Sequence, residues 1–459
     1  MSNWPRTAPF LLALALAGCV DGEGTPRPQA LVVIDTDLTS PGSIDRVRIQ
    51  LLREDGGDLV LACDGCTREV FVEDAAQWPL SFGVEPPADG GARWVRVIGF
   101  EDGRAIFGEV FAGTAVDTVA RLRFEDTVTA QLIFLSGDCV GRPADLVARS
   151  TCVEGTMTDI GPAPDRDPSL PTAEGTHRRE YARTCSSEAQ TDSGLFDEEV
   201  CIGGGTFWMG DIRRQGLTPI GDAVPEHLVT LSPFFLDRHE YTVGRYRAAL
   251  AAGFVAPRPA GTTAGCTAGA PDGTGDNLPL NCVNGDTARA ACLFEGRRLP
   301  TEAEWEWAAG SREVENLYPW GGLDRLGPTR DVQSPSAVTE PLLVTYWTED
   351  VPPEPAEWEM DATEVDGIIN MGWNVQEWVD DDYQLYTARC WAPENYGPNP
   401  RCTTTEGDEL LGQSIRGGYW YGDGDRLAHY RPMAVTRTMA PSSASGDFVG
   451  FRCARDDGA

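Results

Sequence analysis

The sequence has 459 residues, enough for two or three domains with at least one large hydrophobic core. Its formal net charge is −34 and its isoelectric point is about 4.4, which argues against a nucleic-acid partner and against electrostatic binding to anionic lipid. The acidic residues are spread along the chain, so they indicate a soluble surface rather than a specific basic partner.

The N-terminus has the features of a secretion signal. Met1 to Pro9 contain one arginine and no acidic residue, Phe10 to Ala17 are apolar, and small residues follow. Leu16-Ala-Gly-Cys19 resembles a bacterial lipobox, in which the signal, residues 1–18, is removed and the cysteine thiol is lipidated. We therefore expect residues 19–30 to form a polar tether. The folded part would lie in the cell envelope, on the periplasmic or surface side, attached to the membrane through lipid on Cys19.

The cysteine count suggests a disulfide framework. There are 13 cysteines, and 12 remain when Cys19 is set aside. An even number in an exported chain indicates disulfides. Neighbouring cysteines suggest five pairs and leave two cysteines for each other: Cys63–Cys66, Cys139–Cys152, Cys185–Cys201, Cys266–Cys282, Cys390–Cys402 and Cys292–Cys453. Sequence alone does not determine connectivity, so other pairings remain open.

Residues 31–154 are predicted to form an all-β sandwich. Apolar and polar residues alternate at 46–51 and again at 128–134, and turns such as Asp55-Gly-Gly separate the short strands. Many short strands at even spacing are typical of a β-sandwich. No cluster of His, Asp or Glu accompanies them, so we expect a structural or docking role for this domain.

The segment Cys63-Asp-Gly-Cys66 has the spacing of a redox motif. Redox-active cysteines of this spacing have a reactive thiolate at the start of a helix, whereas this segment lies at a glycine-containing turn between predicted strands. A zinc site would need two further ligands nearby, and none is visible. We therefore expect a small structural disulfide.

Composition divides the rest of the chain at about residue 198. Residues 155–197 are rich in Pro, Asp, Thr, Ser and Glu and lack hydrophobic periodicity, which predicts a partly disordered linker. The second domain is predicted to span residues 198–456, with long loops and little regular secondary structure. Its expected helices are Thr242–Ala252 with Thr242 as N-cap, Asp286–Glu295 with Asp286 as N-cap, and a third that begins at the capping box Thr301-Glu-Ala-Glu304. The whole chain is therefore expected to be α+β.

Seven blocks of the second domain follow one another in a specific order. They are Gly203-Gly-Gly-Thr-Phe-Trp-Met-Gly, Phe234-Phe-Leu-Asp-Arg-His-Glu-Tyr-Thr, Gly296-Arg-Arg-Leu-Pro-Thr-Glu-Ala-Glu-Trp-Glu-Trp-Ala, Tyr318-Pro-Trp-Gly, Asn370-Met-Gly-Trp-Asn-Val-Gln-Glu-Trp, Arg416-Gly-Gly and Gly450-Phe-Arg-Cys453. These blocks resemble the formylglycine-generating enzyme family, also called sulfatase-modifying factors. The resemblance implies a variant of the C-type lectin fold for the second domain and leaves out the N-terminal half.

Active members of that family oxidise a sulfatase cysteine to formylglycine with copper held by two cysteines. The family pattern is Arg-Gly-Gly-Ser-x-x-Cys-x-x-x-x-Cys. Here Arg416-Gly-Gly matches, but Tyr419 takes the serine position, and Gly422 and Leu427 take the two cysteine positions. Cu(I) requires thiolate or thioether ligands, so neither residue can bind it and copper is not expected. The resemblance also implies that Cys453 pairs with the helix cysteine, Cys292.

Active members also bind calcium near an Asn-x-x-Gly-Asn-x-x-Glu-Trp segment. Carried over, the ligands are the side chains of Asn370 and Glu377 and the backbone carbonyls of Trp373 and Val375. Calcium takes such oxygen ligands, so the resemblance implies a structural calcium ion. Trp373 stands where the family has glycine, and a backbone that required positive φ would resist tryptophan there. Without a metal, Asn370 and Glu377 would form internal hydrogen bonds instead.

Two functions fit these observations. The first is a non-catalytic, lipid-anchored binding or scaffold protein that presents a lectin-like surface to a protein or glycan. Four aromatic residues would then line the former substrate groove, or alternatively fill the core: Tyr419, Trp420, Tyr421 and Tyr430. The second is an oxidase of the formylglycine-generating type, or a related peptide-modifying enzyme, with a different metal arrangement in the same cleft. No set of metal ligands is visible near Gly422, so we expect a protein that is not an enzyme.

Overall fold

A computed structural model describes residues 29–101, 105–106, 109–110, 115–125, 128–167, 169–181, 183–211, 222–273, 275–321, 361–391, 398–404, 411–419 and 433–458. These residues divide into two compact units. The first contains the described residues of Met1–Pro41, Arg46–Gly99 and Val116–Glu174, and the second those of Gly42–Asp45, Phe100–Ala115 and Gly175–Ala459. No helix within the described ranges is long and apolar enough to cross a membrane.

The described residues before the second domain contain twelve strands. In chain order they are β1 Ala30–Thr36, β2 Arg46–Asp55, β3 Asp58–Leu61, β4 Thr67–Phe71, β5 Leu80–Val84, β6 Trp94–Phe100, β7 Ala105–Ile106, β8 Glu109–Val110, β9 Val116–Arg121, β10 Thr129–Leu135, β11 Ser150–Val153 and β12 Thr156–Asp159. One sheet has the order β10-β1-β5, with β1 parallel to β10 and antiparallel to β5. Another has the order β3-β2-β6-β9, with β4 also paired to β2.

Alternation of apolar residues builds the core of the larger sheet. Leu52, Leu59, Trp94 and Val119 come from four of its strands and form one buried cluster. Because successive residues of a strand point to opposite faces, a period of two places these side chains together. The predicted strands are thus present, whereas the sandwich arrangement of the sheets stays a prediction.

The segment predicted as a linker, residues 155–197, is not a linker in the structure. It begins with β12, which pairs with β11, and it then runs beside β10, where the Leu132 N–H donates to the Pro164 carbonyl at 2.8 Å. Residues up to Glu174 belong to the first unit, and the remainder belongs to the second, to which the disulfide of Cys185 ties it. Hydrophobic periodicity missed this segment because backbone hydrogen bonds, which carry no such signal, hold it in place.

The second unit combines short strands with three α-helices in its described residues. They are β13 Glu199–Ile202, β14 Gly205–Met209, β15 His227–Leu231, β16 Phe234–Asp237, α1 Val243–Ala251, α2 Gly285–Phe294, α3 Glu302–Ala309, β17 Gln376–Asp382, β18 Gln413–Arg416, β19 Arg437–Ala440, β20 Val449–Gly450 and β21 Ala454–Asp456. The sheets have the orders β13-β16-β21, β14-β15 and β19-β18-β17-β20. Mixed sheets with few helices agree with the expected α+β class.

The helices begin at capping residues, and two of the three predicted caps are confirmed. Thr242 accepts a hydrogen bond from the N–H three residues on, and Thr301 with Glu304 forms the expected capping box. The prediction for α2 was wrong, because Asn284 rather than Asp286 is its N-cap. Both residue types can cap a helix, and position in the chain alone did not discriminate between them.

Helix α3 is buried on every side, since all eight of its residues are buried. Helices in such positions ordinarily carry apolar residues. This one instead carries Glu302, Glu304 and Glu306 beside Trp305 and Trp307. Buried carboxylates are tolerated only when cations or hydrogen-bond donors satisfy them, so the tertiary structure must supply arginines around α3.

His227, at the start of β15, is buried among aromatic residues in this core. Its ring centroid lies 4.6 Å from that of Tyr386 and 5.2 Å from that of Trp391. Burial lowers the pKa of His227 from 6.5 to about 4. The ring is therefore neutral in the folded protein at pH values where the unfolded chain is protonated. Because the unfolded state then binds more protons, this contribution to stability decreases as pH falls from 6.5 to 4.

We predict that the free energy of unfolding of the wild type falls more steeply between pH 6.5 and 4 than that of His227→Gln. The difference should approach about 1.4 kcal/mol per pH unit, the slope of one proton. Urea denaturation at several pH values measures it, with His177→Gln as the control at a histidine outside this aromatic cluster. Parallel curves for wild type and His227→Gln would contradict the prediction.

Candidate functional site

Strand β17 lies at the centre of the candidate site. It pairs antiparallel with β18, with Glu377 opposite Arg416, and parallel with β20, with Glu377 opposite Gly450. The two C-terminal motifs, Arg416-Gly-Gly and Gly450-Phe-Arg-Cys453, therefore flank one strand. The structure thus brings together the segments that the sequence analysis singled out.

The glycines after Arg416 allow a close approach of two backbone segments. Gly417 has φ of 81°, and a Cβ there would lie 3.0 Å from the Met371 carbonyl oxygen. The Gly418 N–H donates to the Gly372 carbonyl at 2.9 Å, and Gln376 Nε2 donates to the Gly417 carbonyl at 3.0 Å. A side chain at residue 417 would be strained and would collide with this segment. The Gly-Gly pair therefore fixes the end of β18 against residues 371–376.

Arg416 itself is fully buried and satisfies the carboxylates of α3. Its Nη1 lies 3.1 Å from Glu302 Oε1, and its Nη2 binds Glu306. Arg437 binds both oxygens of Glu302, each at 2.8 Å. Two guanidinium groups and two carboxylates thus form one buried network. Arg416 thus holds β18 against α3 through buried contacts.

Arg452 has the same role on the other side of β17. Its Nε and Nη2 donate to both oxygens of Glu377 at 2.7–3.0 Å, and Trp305 Nε1 donates to Glu377 Oε2 at 2.8 Å. Its Nη1 and Nη2 also donate to backbone carbonyls, including that of Ile369 at 2.8 Å. The Gly-Phe-Arg motif therefore ties the C-terminal strand to β17 by a buried ion pair.

The loop before β17 surrounds another buried carboxylate, that of Glu240. Asn370 Nδ2 donates to Glu240 Oε2 at 2.7 Å, and Asn374 Nδ2 donates to Glu240 Oε1 at 2.9 Å. Both asparagines have positive φ, 61° and 73°, which asparagine tolerates better than most residues. Burial raises the pKa of Glu240 to about 8. The expected conflict at Trp373 does not arise, because positive φ falls on its neighbour Asn374 instead.

The buried residue Asp361 also holds this loop in place. Its carboxylate accepts hydrogen bonds from the backbone N–H groups of Gly372 and Trp373, the latter at 2.7 Å. Burial raises the pKa of Asp361 to about 6. The loop is therefore held by two carboxylates with raised pKa values, Glu240 and Asp361.

Among the predicted calcium ligands, the carboxylate of Glu377 is already engaged by other side chains. The two oxygens of Glu377 accept four hydrogen bonds from Arg452 and Trp305, so this carboxylate is neutralised and saturated. Asn370 donates to Glu240 through Nδ2, which is not the atom that calcium would bind, and no cluster of three His, Cys, Asp or Glu residues within the described ranges could hold a metal ion. The residues as arranged do not fit a calcium site in which Glu377 is the charged ligand. Calcium binding by this loop stays a prediction.

The buried carboxylates were missed as site residues by the sequence analysis. Glu240 belongs to the block Phe234–Thr242, and Glu302 and Glu306 belong to the block that begins at Gly296. The sequence did contain a signal for these carboxylates, because each is an acidic residue inside a motif block that also contains large apolar residues. Asp361 lies outside all seven blocks, so no comparable signal was present for it.

Most of the loop that the resemblance assigns to copper binding lies outside the described residues, including Gly422, Leu427, Trp420, Tyr421 and Tyr430. Tyr419 is described and half-buried, with its ring centroid 5.2 Å from that of Phe448. Tyr419 therefore packs beside the C-terminal motif. Its predicted contact with a ligand stays a prediction.

All twelve cysteines after Cys19 form disulfides in the structure. The six pairs are those that the sequence suggested: Cys63–Cys66, Cys139–Cys152, Cys185–Cys201, Cys266–Cys282, Cys292–Cys453 and Cys390–Cys402. Cys19 lies outside the described residues. The described part of the chain therefore contains no thiol that could form a thiolate ligand.

A cleft lies beside α3 and was not predicted from sequence. Its charged lining residues are Asp211, Glu226, Glu306, Glu315 and Arg312. Because Glu306 also binds Arg416, the cleft adjoins the buried network. Carboxylates outnumber cations along its wall.

Comparison with known proteins gives a consistent result for the second domain. The family model described as "Sulfatase-modifying factor enzyme 1-like domain" matches residues 185–457. The formylglycine-generating enzyme of Streptomyces coelicolor is 28% identical over 301 residues, which cover 56% of this chain and 89% of that protein. The mouse protein named "Inactive C-alpha-formylglycine-generating enzyme 2" is 29% identical over 185 residues, 39% of this chain and 50% of that protein.

Among solved structures, PvdO from Pseudomonas aeruginosa is similar to this chain. It is 25% identical, and the alignment covers 60% of this chain and 100% of that one, with a TM-score of 0.42. The matches to the Streptomyces and mouse proteins show that both named enzymes and proteins named inactive share sequence with this domain.

Proposed function

The chain belongs to the sulfatase-modifying factor family, and we propose that it is a non-catalytic, lipid-anchored member that acts as a binding or scaffold module outside the cytoplasm. The ligand would be a protein or a glycan. The observation that carries this proposal is the state of the cysteines. Formylglycine formation in the family, as the resemblance implies, needs two cysteines that hold copper, and here those positions are Gly422 and Leu427.

The disulfides strengthen the argument from these two positions. A cysteine elsewhere in the chain could in principle replace a lost ligand. However, each of the twelve cysteines of the folded part is bonded to another cysteine. Cys19 is the remaining one, and its lipidation would also occupy its thiol. No thiolate is therefore left for Cu(I), which prefers sulfur ligands.

The motifs that the chain shares with its family stabilise the fold, and this role requires no catalysis. Arg416 forms ion pairs with Glu302 and Glu306 of α3, and Arg452 forms one with Glu377. Both arginines are fully buried. Loss of the copper ligands leaves these contacts intact, so the motifs of the fold can persist in a protein that has no oxidase activity. The mouse relative whose name includes "Inactive" is a precedent within the family.

We predict that the wild-type protein forms no formylglycine when incubated with Cu(I), oxygen and a peptide that carries a sulfatase motif. Mass spectrometry of the peptide detects the aldehyde, and the Streptomyces coelicolor enzyme is the positive control. The double variant Gly422→Cys/Leu427→Cys should gain Cu(I) binding, measured by competition with a chromophoric chelator. Formylglycine made by the wild type would favour the alternative, an oxidase with a different metal arrangement. Equal Cu(I) affinity of wild type and double variant would contradict the argument from these positions.

We predict that Cys19→Ser abolishes membrane attachment in a bacterial host. The wild type should fractionate with membranes and incorporate a labelled fatty acid, and the variant should do neither. The sequence contains 37 arginines and no lysine. An amine-reactive ester can therefore label only the N-terminal amine, and it reports whether that amine is acylated. Membrane attachment of the variant would show that the anchor is not the lipid on Cys19.

A further inference from the structure

The Cys63–Cys66 disulfide differs from the other five in its exposure. Cys63 is the one exposed residue among the twelve disulfide cysteines. Four of the other disulfides each contain at least one buried cysteine: Cys139, Cys282, Cys402 and Cys453. The fifth, Cys185–Cys201, has two half-buried cysteines. Thiol–disulfide exchange requires that an attacking thiolate reach a sulfur atom, so access favours attack at Cys63.

The disulfide closes a short loop between the edge strands β3 and β4, here called the excursion, at residues 62–66. Strands β3 and β4 both pair with β2, and the register jumps by four residues between them: Leu52 pairs with Leu61, and Gln50 pairs with Thr67. The four extra residues between Leu61 and Thr67 form a bulge opposite Leu51. At the sheet edge, a bulge of this kind interrupts the row of backbone groups that another strand could use.

Backbone hydrogen bonds hold the base of this excursion independently of the disulfide. The Leu51 N–H donates to the Cys66 carbonyl at 2.9 Å, and the Ala62 N–H donates to the Leu51 carbonyl at 2.9 Å. The Cys66 N–H donates to the Cys63 carbonyl at 3.1 Å, which closes a turn with Gly65 at φ of 100°. The two cysteines would thus stay near each other after reduction, because the ladder on both sides of Leu51 does not depend on the sulfur atoms.

We propose that Cys63–Cys66 is a reversible redox modification site, reduced by a dithiol donor and re-oxidised without loss of the surrounding sheet. One thiolate of the donor attacks Cys63 Sγ and forms a mixed disulfide, while Cys66 leaves as a thiolate and takes up a proton. The second donor thiolate then attacks the donor sulfur of the mixed disulfide and releases Cys63. The donor ends as a disulfide, having supplied two electrons, and exchange with an oxidised disulfide reagent reverses the reaction.

This role differs from that of a redox enzyme. A catalytic cysteine pair of this spacing uses a helix start to stabilise its thiolate, whereas these cysteines lie between β3 and β4. The pair is therefore a substrate of thiol exchange. Reduction removes the cross-link at residues 62–66 and leaves the pairing of β2 with both strands in place.

The test is partial reduction of the folded, full-length chain with dithiothreitol, followed by alkylation and peptide mapping by mass spectrometry. Cys63 and Cys66 should be labelled roughly tenfold faster than Cys185 and Cys201, the comparison pair with two half-buried cysteines. Removal of dithiothreitol and addition of oxidised glutathione should restore the Cys63–Cys66 bond. Equal or faster labelling of the comparison pair would overturn the proposal, as would loss of the β-sheet circular dichroism signal during the fast phase.

A variant that lacks only this disulfide checks that the fast labelling phase belongs to Cys63 and Cys66. Cys63→Ser/Cys66→Ser should lack the fast labelling phase and keep the slower ones. Its thermal midpoint should fall by much less than that of a variant without the Cys292–Cys453 disulfide, because the closed loop spans 3 residues rather than 161. A fast phase that persists in this variant would show that another disulfide is the exposed one. If the variant does not fold, peptide mapping of the wild type alone still decides between the pairs.

Discussion

Replacement of Glu302 by glutamine is expected to lower the free energy of unfolding of the second domain by about 3–5 kcal/mol. The Glu302 carboxylate is fully buried and accepts hydrogen bonds from Arg416 at 3.1 Å and from Arg437 at 2.8 Å on both of its oxygens. Burial alone would raise the pKa of Glu302, but the guanidinium groups of Arg437 and Arg416 lower it below its ordinary value. Glutamine would leave two buried guanidinium groups opposed by Glu306 alone.

Denaturation followed by tryptophan fluorescence measures this effect, with Asp272→Asn as the control. Asp272 forms an ion pair with Arg247, yet its side chain is 97% exposed. The control makes the same change in net charge, and we expect no measurable loss of stability because water screens such a pair. Equal losses for the two variants would refute the view that burial makes Glu302 critical.

Removal of the Cys292–Cys453 disulfide, by Cys292→Ala/Cys453→Ala, is expected to cost about 2–5 kcal/mol. The bond links α2 to the C-terminal strand across 161 residues of sequence. Both cysteines are fully buried in one cluster with Trp378 and Phe451. A cross-link over a long loop removes many conformations from the unfolded chain, which stabilises the folded state.

The thermal midpoint, measured with the other five disulfides intact, tests this prediction. Alanine keeps the site apolar, so loss of a buried polar group does not contribute to the change. Cys63→Ser/Cys66→Ser is the comparison, since its loop is the shortest of the six. A smaller loss for the long loop than for the short one would rule out loop closure as the source of stability.

These two expectations share a consequence for function. The motifs by which the chain resembles its family, from the Arg-Leu-Pro-Thr-Glu block to Gly-Phe-Arg-Cys, supply the buried ion pairs and a disulfide that hold the C-terminal strands. Selection for a stable fold would retain them whether or not the protein oxidises a substrate. The motifs therefore identify the family, whereas our proposal about copper rests on the residues at positions 422 and 427.

Local signals in the sequence were enough for several elements. The capping box at Thr301 and the N-cap at Thr242 identified two helix starts, because a cap and the N–H that it binds lie three residues apart in the chain. Alternation identified the strands of the first unit. Five disulfides join neighbouring cysteines, so proximity in sequence suggested them, and the sixth followed from the two cysteines left over.

Contacts between distant residues could not be derived in this way. The sequence showed Arg416 beside two glycines, but not that it meets Glu302 and Glu306 more than a hundred residues earlier. Glu240 likewise acquires its raised pKa from burial, which outweighs the opposing effect of hydrogen bonds from Asn370 and Asn374 in a distant loop. Residues 155–197 lack any hydrophobic pattern, and backbone hydrogen bonds hold parts of that segment.

The sequence by itself thus determined the family, the class of the fold, the starts of two helices and the absence of cysteine at positions 422 and 427, because each depends on residue identity at short or motif-defined spacing. Only the tertiary structure decided that Arg416 and Arg452 are buried partners of carboxylates, that Glu377 is saturated by Arg452, and that Cys63 is exposed. Burial and charge pairing are properties of the packed chain, since a carboxylate acquires its partner and loses its water only when distant strands and helices meet.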